Sequence, residues 1–213
     1  MFHPCQKSGR GGTDCEQFSS TSFTQGDVPF PPGIKLFIHA FTGCDTTSAL
    51  FWQGKMKMLD VLTKNPSLFD GATAFLNRDP THEDKASASN KCLVALYGGG
   101  EDDSLHALRY KTFVRSAASA KVHLARLPPT EEAAAQHSYR TFHQVQKWLR
   151  VNLEPTNWGW KSSHQGLIPV MSTKEPAPLT LLKFLSCSCK KGCTGRNCTC
   201  QRAGLKRSAL CKF

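Results

Sequence analysis

The feature of this sequence that most constrains its fold is a run of apolar residues at helical spacing, from Gly54 to Leu149. Large apolar side chains recur there every three or four residues, which is the period of helices that bury one face. Residues that start or stop helices divide the run: Thr81, Gly98–Gly100, Ser104 and Thr130. The sequence therefore predicts a mainly α-helical domain over residues 34–160.

The segments on either side of this helical domain differ from it in composition. Residues 1–33 are rich in Gly, Ser and Pro and poor in apolar residues, which predicts a disordered, irregular leader. Trp158-Gly159-Trp160 is expected to close the domain as a buried aromatic anchor. Residues 161–180 contain Gly166 and several prolines and are predicted to be an extended linker on the domain surface. Residues 181–213 then form a small cysteine-rich module.

A short motif at the start of the helical domain combines a buried segment, a glycine and a carboxylate. The apolar residues Ile34–Ile38 predict a short buried strand or a helix end. Gly43 then frees the backbone, and Asp45 or Thr46 is predicted to cap a helix that holds Thr47 in its first turn. The alternative is that Asp45 is a metal ligand, since phosphodiester chemistry often uses a carboxylate at such a position.

Gly43-Cys44-Asp45, followed by Gly54 and a basic helix with Lys55 and Lys57, resembles the flap-endonuclease and PIN-like nuclease superfamily. The resemblance implies a helical domain that is the C-terminal part of such a fold. It implies that Asp45 would help to hold magnesium or manganese. It also implies that the hairpin before Lys55 and Lys57 would bind a nucleic-acid phosphate.

The wider phrase from His39 to Phe51 resembles uncharacterised, mobile-element-associated animal proteins that carry a degenerate domain of this kind. Two departures from the nuclease pattern favour a non-catalytic protein. Trp52 stands where the first hairpin glycine is usual. The acidic residues before the motif are few: Asp14, Glu16 and Asp27. One aspartate cannot form the two-metal clamp of an in-line displacement.

The longest predicted helix follows Thr130 and has distinct apolar and polar positions. Its predicted inward residues are Ala135, Tyr139, Phe142, Val145, Trp148 and Leu149. Its predicted polar residues are His137, Arg140, His143, Gln144, Lys147 and Arg150. His137 and His143 are six positions apart, do not share a helix face and make a poor metal pair. Each is interpreted as an exposed histidine or one with satisfied hydrogen bonds.

The C-terminal module carries a dense set of thiols and cations. Its cysteines are Cys187, Cys189, Cys193, Cys198, Cys200 and Cys211. Its predicted nucleic-acid contacts are Lys190, Lys191, Arg196, Arg202, Lys206 and Arg207, and no acidic residue follows Glu175. Because the sequence begins without a secretory signal pattern, we expect reduced thiols, and closely spaced thiolates among basic residues predict a zinc site. The alternative is a broken site in a disordered tail.

This cysteine spacing resembles the CXC domain of the tesmin/TSO1-like family, whose modules hold several zinc ions in shared thiolates and bind DNA. Arg207 stands where that family has another cysteine, and Phe213 stands where its closing Cys-x-Cys would end. Asn197 replaces the tyrosine often found before the second Cys-x-Cys. The resemblance implies zinc bound by the six cysteines and weak preference for DNA sequence.

The overall charge agrees with a polyanionic partner. The formal net charge is +11 and the pI is about 9.3, which favours nucleic acid. With the resemblance to CXC domains, DNA is expected before RNA. No membrane partner is expected, and the predicted location is intracellular, in the nucleus or cytoplasm. Three functions remain: a non-catalytic, zinc- and nucleic-acid-binding remnant of a transposable element, a divalent-metal nuclease using Asp45, and a translated fragment without function.

Overall fold

Helices dominate the computed structural model, which describes residues 31–78, 81–118 and 123–173, and Cys198. The helices are α1 (Pro32–Phe41), α2 (Lys55–Lys64), α3 (Ser67–Ala74), α4 (His82–Leu96), α5 (Leu105–Ala118) and α6 (Glu131–Trp148). Two strands follow, β1 (Trp160–Ser163) and β2 (Gly166–Pro169). The prediction of a mainly α-helical domain is confirmed. The predicted leader, up to residue 30, lies outside the described residues.

The predicted caps of three helices are confirmed by hydrogen bonds. Thr81 accepts one from the Asp84 amide at 3.1 Å and begins α4. Ser104 accepts one from the Ala107 amide at 3.1 Å and begins α5. Thr130 accepts one from the Ala133 amide at 3.3 Å and begins α6. Each bond satisfies an amide that has no partner within its own helix, so local sequence fixes where these helices start.

The core lies where α6 packs against α1 and α4, with α3 against α4. Phe37 of α1 packs on Phe75, with 4.8 Å between ring centroids, and Phe75 in turn packs near Phe142 of α6. Phe142 contacts Trp158 at 4.5 Å, and Trp158 is buried. Trp158 of the predicted aromatic anchor therefore closes this core, while Trp160 is half-buried.

The start of the helical domain corrects one prediction. Of the two alternatives for Ile34–Ile38, the structure shows a helix, since α1 spans the whole segment. The predicted cap at Asp45 or Thr46 is wrong, because residues 42–54 form a loop and contain no helix. Thr47, expected in a first helical turn, is instead buried and bonded to the end of α1.

The segment predicted to be a linker begins with a β-hairpin that docks on α6. β1 and β2 pair antiparallel, with Lys161 opposite Ile168. Arg140 of α6 donates to the carbonyl oxygens of Gly159 and Val170 at 3.3 and 3.4 Å. These bonds hold both ends of the hairpin against α6. The prolines and the glycine of this segment did not indicate a docked hairpin.

None of the helices in the described ranges combines the length and the apolar character that crossing a membrane requires.

Candidate nucleic-acid interface

The loop after α1 is closed by bonds between its own residues and the helix end. The Thr47 hydroxyl donates to the Ala40 carbonyl at 2.6 Å, and it accepts from the Cys44 amide at 3.1 Å. Gly43 has φ of +114°, and a Cβ there would lie 2.6 Å from the Ala49 Cα. Only glycine fits this position, since other residues would be strained in conformation and would clash with the backbone.

This loop and the C-terminal end of α6 form a shallow groove of about 550 Å³. Its lining residues are His39, Cys44, Asp45, Thr46, Gln144, Lys147, Trp148 and Arg150. The Thr46 hydroxyl donates to the Gln144 Oε1 at 2.6 Å. The His39 ring stacks on Trp148 with 5.4 Å between centroids. The two walls of the groove are therefore joined by a hydrogen bond and a ring stack.

The charges around this groove favour an anion more than a divalent metal. Asp45 is the one carboxylate among the lining residues, while Lys147 and Arg150 are cations. Burial lowers the pKa of His39, the nearby Lys55 lowers it further, and Asp45 partly offsets both. Across the described residues, no three His, Cys, Asp or Glu side chains are grouped so that they could hold a metal ion. In the described part of the chain, a metal ion in this groove would thus find one carboxylate ligand, Asp45.

Cys44 is the thiol of this groove, and its sulfur lies beside two hydroxyl groups. The thiol lies 3.5 Å from the Thr46 hydroxyl and 3.2 Å from the Thr47 hydroxyl. Each hydroxyl already donates its one proton elsewhere, Thr46 to the Gln144 Oε1 and Thr47 to the Ala40 carbonyl, so in these contacts the thiol is the donor. The thiol therefore belongs to the bonded network that shapes the loop.

The two predicted contacts on α2, Lys55 and Lys57, are exposed in the first turn of that helix. The Lys55 ammonium donates to the Gly43 carbonyl at 3.3 Å. The Lys57 ammonium donates to the Gln53 Oε1 at 2.6 Å. The structure therefore places both cations beside the loop that carries Asp45.

The predicted zinc ligands and basic contacts of the C-terminal module lie outside the described residues, with the exception of Cys198. Cys198 is buried. Cys187, Cys189, Cys193, Cys200 and Cys211, with the six basic residues from Lys190 to Arg207, stay predictions from the sequence.

Sequence reasoning missed an exposed group of aromatic and cationic side chains beside α2. Phe51 and Trp52 stack with 5.9 Å between centroids. His123 stacks on Phe51 at 5.2 Å, and the Arg126 guanidinium lies 4.7 Å from the Trp52 centroid. We call His123, Phe51, Trp52 and Arg126 the aromatic platform. The signal in the sequence was the pair Phe51-Trp52 directly before a basic helix.

Comparison with known proteins adds no family to these observations. No protein-family model, curated protein or solved structure matches this chain. The nuclease-like and CXC-like resemblances therefore remain predictions.

Proposed function

We propose that this chain is a non-catalytic, zinc- and nucleic-acid-binding protein, a remnant derived from a transposable element. The observation that carries the proposal is the composition of residues 181–213. Six cysteines lie there among eight cations, and no carboxylate follows Glu175. Thiolates at this spacing suit zinc, and one-sided positive charge suits phosphates. The resemblance to CXC domains favours DNA before RNA.

The groove beside Asp45 supports the non-catalytic part of the proposal. Metal-assisted cleavage needs several carboxylates that converge on the metal ions. Asp45 stands in the groove with Lys147 and Arg150, so its surroundings are neutral or positive. Such a groove attracts a phosphate through charge and leaves a divalent cation without enough ligands. Lys55 and Lys57 add positive charge beside the same loop.

Metal analysis of the purified full-length protein tests the zinc site. We expect about one to two zinc ions per chain, since six thiolates can share that number. Cys198→Ser combined with Cys200→Ser should remove most of this zinc. Cys5→Ser combined with Cys15→Ser, two thiols outside the module, is the matched control and should leave the zinc content unchanged. A wild-type protein without zinc would refute this part of the proposal.

Binding measurements test whether the zinc module contacts nucleic acid. The affinity for duplex and single-stranded DNA should fall steeply as salt rises, because phosphate contacts release counterions. The Cys198→Ser, Cys200→Ser protein should bind more weakly than the Cys5→Ser, Cys15→Ser control. Equal affinities of these two proteins would show that the module does not need zinc to bind.

Cleavage assays separate this proposal from the nuclease alternative. Full-length protein is incubated with single-stranded, duplex and flap DNA in magnesium or manganese, and we expect no cleavage. The variant Asp45→Asn should bind DNA at least as tightly as the wild type, because it removes a negative charge from a basic groove. Cleavage by the wild type that Asp45→Asn abolishes would establish the nuclease alternative instead.

A further inference from the structure

The aromatic platform exposes a large apolar side chain that the fold does not use. Trp52 is 75% exposed, although its neighbours in the loop before α2 include the buried Gln53. Phe51 and the Arg126 guanidinium contact the indole, with 5.9 and 4.7 Å to its centroid, and still leave most of its surface exposed. An exposed aromatic side chain is typical of a binding surface.

The backbone at Trp52 gives a second reason to infer a binding role. Trp52 has φ of +59°, in the left-handed region that glycine adopts easily and a bulky residue does not. The fold thus places tryptophan where the backbone conformation favours glycine. Strain of this kind persists where the side chain serves a purpose other than stability. Since the indole is mostly exposed, core packing does not supply that purpose.

The charges around the platform indicate which partner it fits. The Arg126 guanidinium lies over the Trp52 indole. Lys55 and Lys57 lie in the first turn of α2, directly after the loop that carries Trp52. Aromatic faces combined with cations recognise single-stranded nucleic acid, because the rings stack on bases while the cations neutralise phosphates. A duplex hides its base faces within its own stack and offers this platform phosphates alone. The net charge of +11 favours the same polyanionic partner.

We propose that the aromatic platform is a single-strand binding site, in which Trp52 stacks on an unpaired base while Lys55 and Lys57 contact the neighbouring phosphates. The inference rests on the proposed nucleic-acid function and adds a contact on the helical domain, separate from the cysteine module. It predicts that the full chain binds a single strand with bases more tightly than an equally charged strand without bases. The module alone, with its cations, would bind both kinds of strand through their charge.

The test compares two single strands of equal length and charge: an oligothymidylate and an oligonucleotide with abasic sites throughout. Anisotropy titrations use the full-length protein. The wild type should bind the oligothymidylate more tightly, by roughly tenfold for one stacked base. Trp52→Gly removes the ring and suits the positive φ, so the fold is kept, as thermal unfolding can verify. Trp52→Phe keeps an aromatic ring.

We expect Trp52→Gly to lose the preference for oligothymidylate and to leave the affinity for the abasic strand unchanged. Trp52→Phe should retain most of the preference. Tyr110→Ala removes an exposed aromatic ring from α5 and, as the matched control, should behave as the wild type. Equal wild-type affinity for the two strands, or an unchanged preference in Trp52→Gly, would overturn the inference.

The same titrations in the Cys198→Ser, Cys200→Ser protein distinguish this inference from the proposed function. If the platform acts as proposed, the preference for bases persists there although the overall affinity falls. If the platform fails and the zinc module binds, both strands bind equally and the affinity still depends on the two cysteines. If the wild type binds neither strand, the platform and single-strand binding by the zinc module are both refuted, and metal analysis still decides the zinc site.

Discussion

Acid should destabilise this protein through one buried histidine of α6, His137. Its side chain is 5% exposed, and its Nε2 lies 2.8 Å from the Phe41 carbonyl oxygen. Because a carbonyl accepts hydrogen bonds, Nε2 must carry the proton and donate it. Nδ1 is buried without a hydrogen-bond partner in the described part of the chain. A second proton on Nδ1 would therefore place an unpaired charge inside the core, beside Arg140.

The size of this effect follows from the pKa of His137 in the two states. In the folded protein the pKa of His137 is lowered from 6.5 to about 4. Burial is the main cause, the charge of Arg140 lowers the pKa as well, and the hydrogen bond to Phe41 partly offsets both. A lowered folded-state pKa means that the unfolded chain takes up the proton first. The contribution to stability is full above pH 6.5 and is lost as the pH falls towards 4. The loss is about 2 kcal/mol at pH 5 and about 3 kcal/mol at pH 4.

Urea unfolding of the wild type and of His137→Gln between pH 7.5 and pH 4.5 measures this contribution. The glutamine amide can still donate to the Phe41 carbonyl, but it does not titrate. Burial also lowers the pKa values of His39 and His143, so both proteins should lose stability in acid. By pH 4.5 the wild type should have lost more stability than the variant, by about 2.5 kcal/mol.

His106→Gln, a change at an exposed histidine of α5, is the matched control and should follow the wild-type pH dependence. If the free energies of unfolding of the wild type and His137→Gln fall in parallel with pH, a buried neutral His137 is refuted.

Two further predictions concern stability and are measured by urea unfolding. Gly43→Ala should cost about 2 to 3 kcal/mol, because it combines a positive φ with a clash against the Ala49 backbone. Gly54→Ala, where a Cβ meets nothing within 4 Å, should change stability little, and equal costs at the two glycines would contradict the loop geometry. Lys85→Met should cost about 2 kcal/mol, because the Lys85 ammonium donates to the Ala74 carbonyl at 2.5 Å and lies over the Phe142 ring. Lys91→Met, at an exposed position of the same helix, is its control, and an equal cost there would refute the role of Lys85.

The helices could be predicted from the sequence because their signals are local. A cap such as Thr130 acts on an amide three residues away, and apolar spacing identifies the face that packs. Spacing fails where a helix is short or lies at the surface. Met56 shares the apolar pattern of α2 with Met58, but Met56 is 76% exposed and Met58 is buried. The period alone does not tell how wide the buried face is.

The polar side of α6 could not be predicted, because its burial depends on distant segments. Gln146 is buried and donates to the Phe75 carbonyl at 2.9 Å. Ser138 donates to the Lys85 carbonyl at 2.7 Å, and Arg140 bonds to the β-hairpin. Each polar side chain thus satisfies a backbone carbonyl of another element. A hydropathy pattern assigns such residues to solvent, since it has no knowledge of acceptors far away in the chain.

Two residues of the Gly43-Cys44-Asp45 motif have a structural role in closing the loop. Gly43 allows the close approach of Ala49, and the Cys44 amide bonds to Thr47. Thr46 joins the loop to Gln144 of α6. Loop closure therefore accounts for these motif residues without any metal. Asp45 differs, since its carboxylate is exposed and accepts no hydrogen bond from the described residues. A helix cap there would have been bonded, and among the described residues no other carboxylate lines the groove beside Asp45. Because cations surround it, Asp45 is a negative charge on the rim of a groove that attracts phosphate. Replacing Asp45 with a neutral residue should therefore strengthen phosphate binding.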